Sequence, residues 1–273
     1  MRAIAYGAAD TEASQAVGGP RVRVPFICAA NDRRPGGDWE TGSTGYEEKL
    51  CRRSNLSATL ATPFPNTTDG NYPIPSAGGI LSDDVVVCRG PHDRYEKLDT
   101  WYDLPVVSMP PTRWPKLRDN GTTFSFAEER KLLQEKIRGA LRICLCNSYD
   151  RVVVGDFGLG NGYRNPPREL AEIWRDILLF DPELRGRFAY IVFVFEDPSQ
   201  STARLILDEM AKKEKKHGGG SSSKTSGSSS SSSSSRRHPP TDMSIFEEIF
   251  DPNEIQRVAS RPDPRYGLEM ITT

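Results

Sequence analysis

The amino-acid sequence predicts an α/β domain in which helices cover both faces of a mixed β-sheet. Strand and helix patterns alternate along residues 1–212, an order that is typical of α/β domains. Several strand patterns are apolar at almost every position, above all residues 188–195 (FAYIVFVF), as strands buried on both faces are. The helix patterns place apolar residues three and four positions apart, so each helix has one face to lay on the sheet.

The elements follow in chain order. Strands are predicted at residues 21–30, 84–88, 104–109, 151–155 and 188–195, helices at 45–61, 125–141, 170–179 and from 198 onward, and long loops at 63–79 and 90–121. Ser125 and Glu128 have the spacing of a capping box at the start of the second helix. Asp197 is predicted to cap the last helix, and Pro198 to open it.

A tract of serine and glycine divides the chain. Residues 218–235 (GGGSSSKTSGSSSSSSSS) cannot bury apolar surface, so they are predicted to form a flexible linker. The predicted organisation is a domain at 1–212, a linker at 213–240 and a short helical tail at 241–273. Basic residues flank the tract (KKEKK and RR); we interpret them as a solvated charge run, with a nuclear signal as the alternative.

The tail carries two predicted helix starts, Ser244-x-x-Glu247 and Asp251-Pro252. Apolar residues follow each start, so each helix has a face to bury. We expect the tail to fold back onto the domain, because the tether keeps its local concentration high. Docking of the tail on a partner is the alternative.

Composition excludes several classes of function. The net charge is -1, from 36 basic and 37 acidic residues, which gives no basis for sequence-specific binding of nucleic acid. No apolar run approaches the roughly 20 residues of a membrane helix, and the N-terminus lacks the apolar centre of a secretory signal. Five cysteines, an odd number, favour a reduced intracellular location, cytoplasmic or nuclear. Cys144 and Cys146 lack partners for a zinc set and are assigned to core packing.

Residues 28–54 carry the strongest functional pattern. Asn31 ends a buried strand, where α/β proteins bind ligands. Gly36 and Gly37 let the backbone approach a ligand closely. Glu47 and Glu48 follow at the start of a helix. Because the two carboxylates repel each other while the helix N-terminus attracts them, such a glutamate can donate a proton and later accept one. The pattern predicts a sugar or phosphate site.

A second pattern follows the strand at 151–155. Gly158, Gly160 and Gly162 lie between this strand and the next helix, and glycines in that position can present amides to a diphosphate. Tyr163 is placed to pack on a ribose, and Arg164 to support the loop.

Two other known sequence motifs partly match this loop. Asp156-Phe157-Gly158 copies a kinase magnesium motif, but H-R-D and V-A-I-K are both missing. Gly158-x-Gly160-x-Gly162 has a tighter spacing than the dinucleotide fingerprint and lies late in the domain. We set both aside.

Together the two patterns resemble the macrodomain family, and within it the microbial-type poly(ADP-ribose) glycohydrolase branch. Residues 29–31 (AAN) and the glycine turn are similar to the macrodomain ribose-binding strand and loop. The sequence P-G-G followed by Y-E-E is similar to the branch's signature of a glycine triplet, a spacer and Q-E-E. Residues 158–166 (GLGNGYRNP) resemble the family's diphosphate loop, G-x-G-x-F-R-N-P, with an extra residue near Asn161. The resemblance covers roughly residues 1–200.

The resemblance implies a three-layer α/β/α sandwich around a mixed sheet, with ADP-ribose or poly(ADP-ribose) as the ligand and no cofactor or metal. It implies that Glu48 protonates the leaving group at the distal ribose and then activates water, while Glu47 holds the substrate. ADP-ribosylated proteins are implied as partners of what we expect to be a monomer. The ligand-binding residues it implies are Asn31, Gly36, Gly37, Asp38, Tyr46, Gly158, Gly160, Asn161, Gly162, Tyr163 and Arg164.

Two positions depart from the family signature. Asp38 stands at the third glycine of the triplet, and Tyr46 stands at the glutamine. Asp38 adds a charge where backbone should meet a diphosphate-bearing ligand, and Tyr46 replaces an amide with a large phenol. These departures keep a second hypothesis open, an ADP-ribose-binding module with little or no hydrolase activity. A nucleotide or sugar-phosphate enzyme on the same scaffold is a third.

Overall fold

The structure is a computed structural model that describes residues 2–7, 22–63, 65, 70–91, 93–217 and 239–260. The strands are β1 (Arg2–Gly7), β2 (Phe26–Ala29), β3 (Ile80–Ser82), β4 (Val86–Arg89), β5 (Lys97–Asp103), β6 (Val106–Met109), β7 (Leu117–Arg118), β8 (Thr123–Phe124), β9 (Arg151–Val154) and β10 (Tyr190–Phe195). The helices are α1 (Tyr46–Arg53), α2 (Leu56–Ala61), α3 (Ala127–Cys146), α4 (Pro167–Phe180), α5 (Thr202–His217), α6 (Asp242–Ile249) and α7 (Pro252–Ala259). Short 3₁₀ turns lie at Trp39–Thr41 and Asp119–Gly121.

Six strands form the central sheet in the order β1-β10-β9-β2-β6-β3. The four inner strands are parallel, and the edge strands β1 and β3 are antiparallel to their neighbours. The carboxyl ends of β10, β9, β2 and β6 therefore share one edge of the sheet. In such sheets that edge is where ligands bind.

Helices cover both faces of the sheet. Alternate residues of β2 show the two layers: Ile27 belongs to a core cluster with residues of α3, α4 and α6, whereas Cys28 belongs to a cluster with residues of α1 and α2. The predicted mixed α/β sandwich is therefore confirmed. The edge strands β1 and β3 escaped prediction, and the strand predicted at 84–88 pairs with β5 in a separate hairpin.

The helix predicted at 45–61 is in fact two helices. It breaks at Ser54, which forms an isolated β-bridge with Val87. Asn55 reinforces this contact, because its backbone amide donates to Val86 O at 3.3 Å and its side chain accepts from the Val86 amide at 2.7 Å. Pairing with the β4–β5 hairpin thus interrupts an otherwise helical pattern.

Two predicted helix starts are wrong. Ser125 does not cap α3, because its backbone amide extends the β7–β8 hairpin by donating to Lys116 O at 2.8 Å. Asp197 does not cap α5, because its carboxylate accepts from the amide and hydroxyl of Ser199 and closes a local turn. The helix begins only at Thr202.

The two C-terminal helices lie against the main core. The helix start predicted at Ser244 is also wrong, because Thr241 caps α6 three residues earlier. Asp251 caps α7 as predicted. Phe246 of α6 contacts Phe193 of β10 with ring centroids 5.2 Å apart, and Phe250 lies 4.9 Å from the same ring.

Two further findings concern residue classes. Cys144 is buried in the core, as predicted, whereas Cys146 is exposed. None of the helices in the described part of the chain is both long and apolar enough to cross a membrane.

Candidate active site

A cavity of about 750 Å³ opens at the carboxyl edge of the sheet. Segments that follow β2, β6, β9 and β10 line it, together with the first turn of α1. The lining residues are Asn31, Ser43, Thr44, Gly45, Tyr46, Glu47, Glu48, Lys49, Arg113, Leu159, Gly160, Asn161, Gly162, Tyr163, Glu196, Asp197 and Gln200. The two sequence patterns therefore meet around one volume.

Glu48 lies between two glycine backbones. A Cβ atom built on Gly37 would lie 2.5 Å from Glu48 Oε1, and one built on Gly45 would clash with Oε2. The Asp38 amide approaches Oε1 at 3.5 Å. Both glycines are thus needed for the position of this carboxylate.

Glu47 is buried beside it, with only 2% of its surface exposed. Its Oε2 accepts from the backbone amide of Asn31 at 2.6 Å. Burial, reinforced by the Glu48 charge and opposed by the amides of Asn31 and Gly36 and by the charge of Arg113, raises the pKa of Glu47 to about 8. Near neutral pH, Glu47 therefore holds a proton that it can donate to a ligand.

Hydrogen bonds from a buried side chain hold the glycine loop after β9. Asn165 is fully buried, and its amide donates to Gly158 O at 2.8 Å and to Thr112 O at 2.9 Å. Gly158 and Gly160 have φ angles of 78° and 73°, a left-handed backbone that favours glycine. Gly160 lies on the cavity wall, but Gly158 does not.

Tyr46, Asn161, Gly162 and Tyr163 also line the cavity. Gly36, Gly37 and Asp38 are not part of its lining. Gly36 instead packs tightly against Cys51 and Trp39. Asp38 forms an exposed ion pair with Arg34. Its side chain is therefore held outside the cavity, and its backbone amide is the group that approaches Glu48.

Arg164 does not lie in the cavity. Its guanidinium stacks over the Trp114 ring at 4.1 Å and pairs with Glu209 at 3.3 Å. This arrangement fits the predicted role of Arg164 in supporting the loop. It does not fit the predicted contact of Arg164 with a ligand in the cavity.

Sequence reasoning missed several lining residues. Arg113 follows β6, and its guanidinium lies 5.3 Å from the Tyr163 ring centroid. Gln200 follows β10, and Gly45 lies two residues before Glu47. The rule that ligands bind beyond the carboxyl ends of parallel strands would have pointed to the first two.

The cations of the cavity are not equivalent. Lys49 and Arg113 are the two cationic residues in its lining. Lys49 Nζ pairs with both oxygens of Glu196 at 2.9 Å, whereas no ion pair of Arg113 occurs within the described residues. Arg113 is therefore the cation that remains for an anionic ligand. No cluster of three or more metal-binding side chains occurs among the described residues.

Known proteins are similar to this chain in sequence and in fold. Residues 6–90 match the family model described as microbial-type PARG, catalytic domain, a stretch that includes the paired glutamates. Among curated proteins no relative matches.

Solved structures match over more of the chain. A poly(ADP-ribose) glycohydrolase (PARG) from Thermomonospora curvata, bound to the inhibitor ADP-HPD, is 26% identical with a TM-score of 0.53, over 69% of this chain and 71% of that one. A Deinococcus radiodurans PARG in complex with ADP-ribose is 21% identical with a TM-score of 0.52, over 71% of this chain and 77% of that one, and shares the fold. Over residues 6–90 the chain is similar to the microbial-type PARG catalytic domain, and its sheet between two helix layers is macrodomain-like, similar to the fold of the Thermomonospora curvata PARG.

Proposed function

We propose that this protein is a glycohydrolase that cleaves the O-glycosidic ribose linkage of poly(ADP-ribose). One observation carries the proposal: a paired Glu47–Glu48 carboxyl site and a glycine loop suited to a diphosphate line the same cavity. The family match and the named activity of the similar structures support the same reaction. ADP-ribose attached to protein is the related substrate, since it presents the same distal ribose.

The loop supplies groups for the diphosphate. The Gly160 amide is already used, because it donates to Thr202 Oγ1 at 2.7 Å. The backbone N–H groups of Asn161 and Gly162 donate to no other backbone group within the described residues, so they are available for phosphate oxygens. Arg113 adds a positive charge to the same cavity. These groups orient the ADP-ribose unit so that its distal ribose reaches the paired glutamates.

Glu48 is the proposed acid and base. Its carboxyl donates a proton to the leaving oxygen as the bond from that oxygen to the anomeric carbon breaks. The resulting carboxylate then takes a proton from water as the water attacks the same carbon. Gly37 and Gly45 hold the carboxyl in place from both sides.

Glu47 is proposed to hold the ribose. Because its pKa is raised to about 8, it is a neutral acid near pH 7. Its protonated carboxyl can therefore donate a hydrogen bond to a ribose hydroxyl.

The first test is the substitution Glu48→Gln. We expect release of ADP-ribose from the polymer to fall at least 1,000-fold, which lies within the ~10²–10⁴-fold contribution of a general acid–base group. Affinity for ADP-ribose, measured by calorimetry, should change less than threefold. Glu40→Gln, at an exposed glutamate of the neighbouring 3₁₀ turn, is the matched control. Turnover by Glu48→Gln at the wild-type rate would refute the assignment.

One feature favours a binding module instead. Tyr46 places a phenol ring on the cavity wall at the position where the family signature has glutamine, and a large ring there can restrict entry of a polymer. Calorimetry with ADP-ribose beside assays on polymer and on mono-ADP-ribosylated protein separates the two functions. Tight binding without product from either substrate would identify the module.

A further inference from the structure

We propose that Asp242, on the C-terminal helix α6, is a positioning residue that fixes the diphosphate loop through Thr202 and Gln200. This inference rests on the proposed function, because the loop is assigned there to the diphosphate of ADP-ribose. It adds a part to the site that lies beyond the serine-rich tract in the sequence.

Asp242 is completely buried, and its hydrogen bonds converge on one short segment. Its Oδ1 accepts from the Thr202 amide at 2.8 Å, and its Oδ2 accepts from the Thr202 hydroxyl at 2.6 Å and from Gln200 Nε2 at 3.0 Å. Its own backbone amide donates to Gln200 O at 2.8 Å. The segment between β10 and α5 is thus tied to α6 by four hydrogen bonds.

The same segment holds the loop. Thr202 Oγ1 donates its proton to Asp242 and accepts from the Gly160 amide at 2.7 Å. Gln200 also faces this turn: a Cβ atom built on Gly160 would lie 3.0 Å from Gln200 Oε1. Gly160 and Gln200 both line the cavity, so a chain of direct contacts runs from Asp242 to the cavity wall.

The position of Asp242 carries an energetic cost. Burial raises the pKa of its carboxyl, the charge of Asp197 adds to this effect, and the hydrogen bonds from Thr202 and Gln200 oppose it. Phe246 and Phe250 already bury α6 on β10, so attachment of the tail does not require a buried carboxyl. The polar contacts with Thr202 and Gln200 offset the cost of burying Asp242.

The contacts also explain how the loop stays open for ligand. With the Gly160 amide committed to Thr202, the turn at 160 is fixed, and the amides of Asn161 and Gly162 keep one orientation. Preorganised donors bind an anion more tightly than donors that must first be ordered. Loss of the Asp242 anchor should therefore weaken binding of the diphosphate more than it slows the glycosidic step.

The test uses the full chain with the substitution Asp242→Asn, which keeps the side-chain volume but turns one acceptor into a donor facing donors. We expect the Kd for ADP-ribose to rise about tenfold and the rate at saturating polymer to stay within threefold. Backbone amides of residues 158–163 should exchange hydrogen faster in the ligand-free protein. Glu248→Gln, which breaks the exposed ion pair of α6 with Arg168, should change none of these quantities.

A double variant adds a further requirement. Thr202→Val removes the hydroxyl link between Asp242 and Gly160 but leaves the bond from Gln200 to Asp242. Asp242→Asn combined with Thr202→Val should therefore weaken binding by clearly less than the sum of the two single losses. Additive losses, an unchanged Kd in Asp242→Asn, or an equal loss in Glu248→Gln would each overturn the inference. If the wild-type chain fails to bind ADP-ribose, the proposed function fails instead, and the exchange rates still decide whether Asp242 fixes the loop.

Discussion

At the scale of single residues, two glycines set the position of the Glu48 carboxylate. Gly37 has a φ of 56° and no room for a Cβ beside Glu48 Oε1. Gly42, in the same loop, also has a positive φ, of 88°, but nothing lies within 4 Å of its Cβ position. A substitution at Gly42 therefore tests backbone strain alone, whereas the same substitution at Gly37 tests strain together with displacement of the Glu48 carboxylate.

We expect Gly37→Ala to abolish turnover and Gly42→Ala to preserve it. Each alanine costs about 1–2 kcal/mol of stability, because left-handed backbone is strained for residues with a Cβ. Only Gly37→Ala also pushes the Glu48 carboxylate out of place, so its turnover should fall by about 100-fold or more. Polymer hydrolysis and chemical denaturation of both variants provide the measurements. Equal activity in the two variants would contradict this account.

Glu47 gives the stability of the protein a pH dependence. Its pKa is near 4.5 in the unfolded chain and about 8 in the folded one, so the folded state binds the proton more tightly. The free energy of unfolding contributed by this group is therefore fully present below pH 4.5 and is lost as pH rises through about 8. The loss is roughly 5 kcal/mol at most, from 1.36 kcal/mol per pKa unit over the difference between 4.5 and about 8.

Glu47→Gln should remove this part of the pH dependence. A glutamine can still accept from the Asn31 amide, so it imitates the protonated acid at every pH. We expect the variant to gain stability over the wild type between pH 5 and pH 9, measured by urea denaturation at several pH values. Asp156, whose pKa burial also raises to about 8, keeps some pH dependence in both proteins. If the free energy of unfolding changed with pH in the same way in variant and wild type, Glu47 would be ionised in the folded protein.

At the scale of elements, sequence patterns identified the helices and strands that bury apolar faces. The helix predicted at 170–179 is α4, and the strand predicted at 188–195 is β10. Some boundaries failed where a hydrogen bond to another segment competed with a local one. Ser125 pairs with the β7–β8 hairpin instead of capping α3. Such competition is decided by tertiary structure, which a local pattern does not contain.

The same distinction holds for the site. Asn31, Glu48 and the glycine loop were predictable because each belongs to a local motif. Arg113 belongs to no local motif. It could be reached only by assuming that the predicted strands at 21–30 and 104–109 pair in parallel, as β2 and β6 do with Ala29 opposite Met109, which brings the segment after β6 to the edge where Asn31 lies. Asp242 was hidden for a stronger reason: its partners Thr202 and Gln200 lie 40 and 42 residues away in sequence.

At the scale of the whole molecule, the C-terminal helices belong to the main core. Phe246 is 2% exposed, and its ring lies 5.3 Å from Phe195 as well as 5.2 Å from Phe193. Trp174 of α4 contacts the same Phe193 ring at 5.4 Å. A segment that shares the central aromatic contacts of the sheet should unfold together with it and not before it.

Phe246→Ala tests whether the tail and the domain unfold as one unit. Removing a buried phenylalanine should cost about 3–5 kcal/mol, and the single unfolding transition of the whole chain should shift to lower denaturant when followed by far-ultraviolet circular dichroism and tryptophan fluorescence. Phe126→Ala, at a side chain that is 47% exposed, should shift it by less than about 1 kcal/mol. If the tail were an independent appendage, Phe246→Ala would leave the main transition unmoved. Because Asp242 lies on the same helix, a tail that unfolds separately would also free the glycine loop at residues 158–163 while the sheet stays intact. Under the proposed function, ADP-ribose affinity would then fall at a lower denaturant concentration than the one that unfolds the sheet.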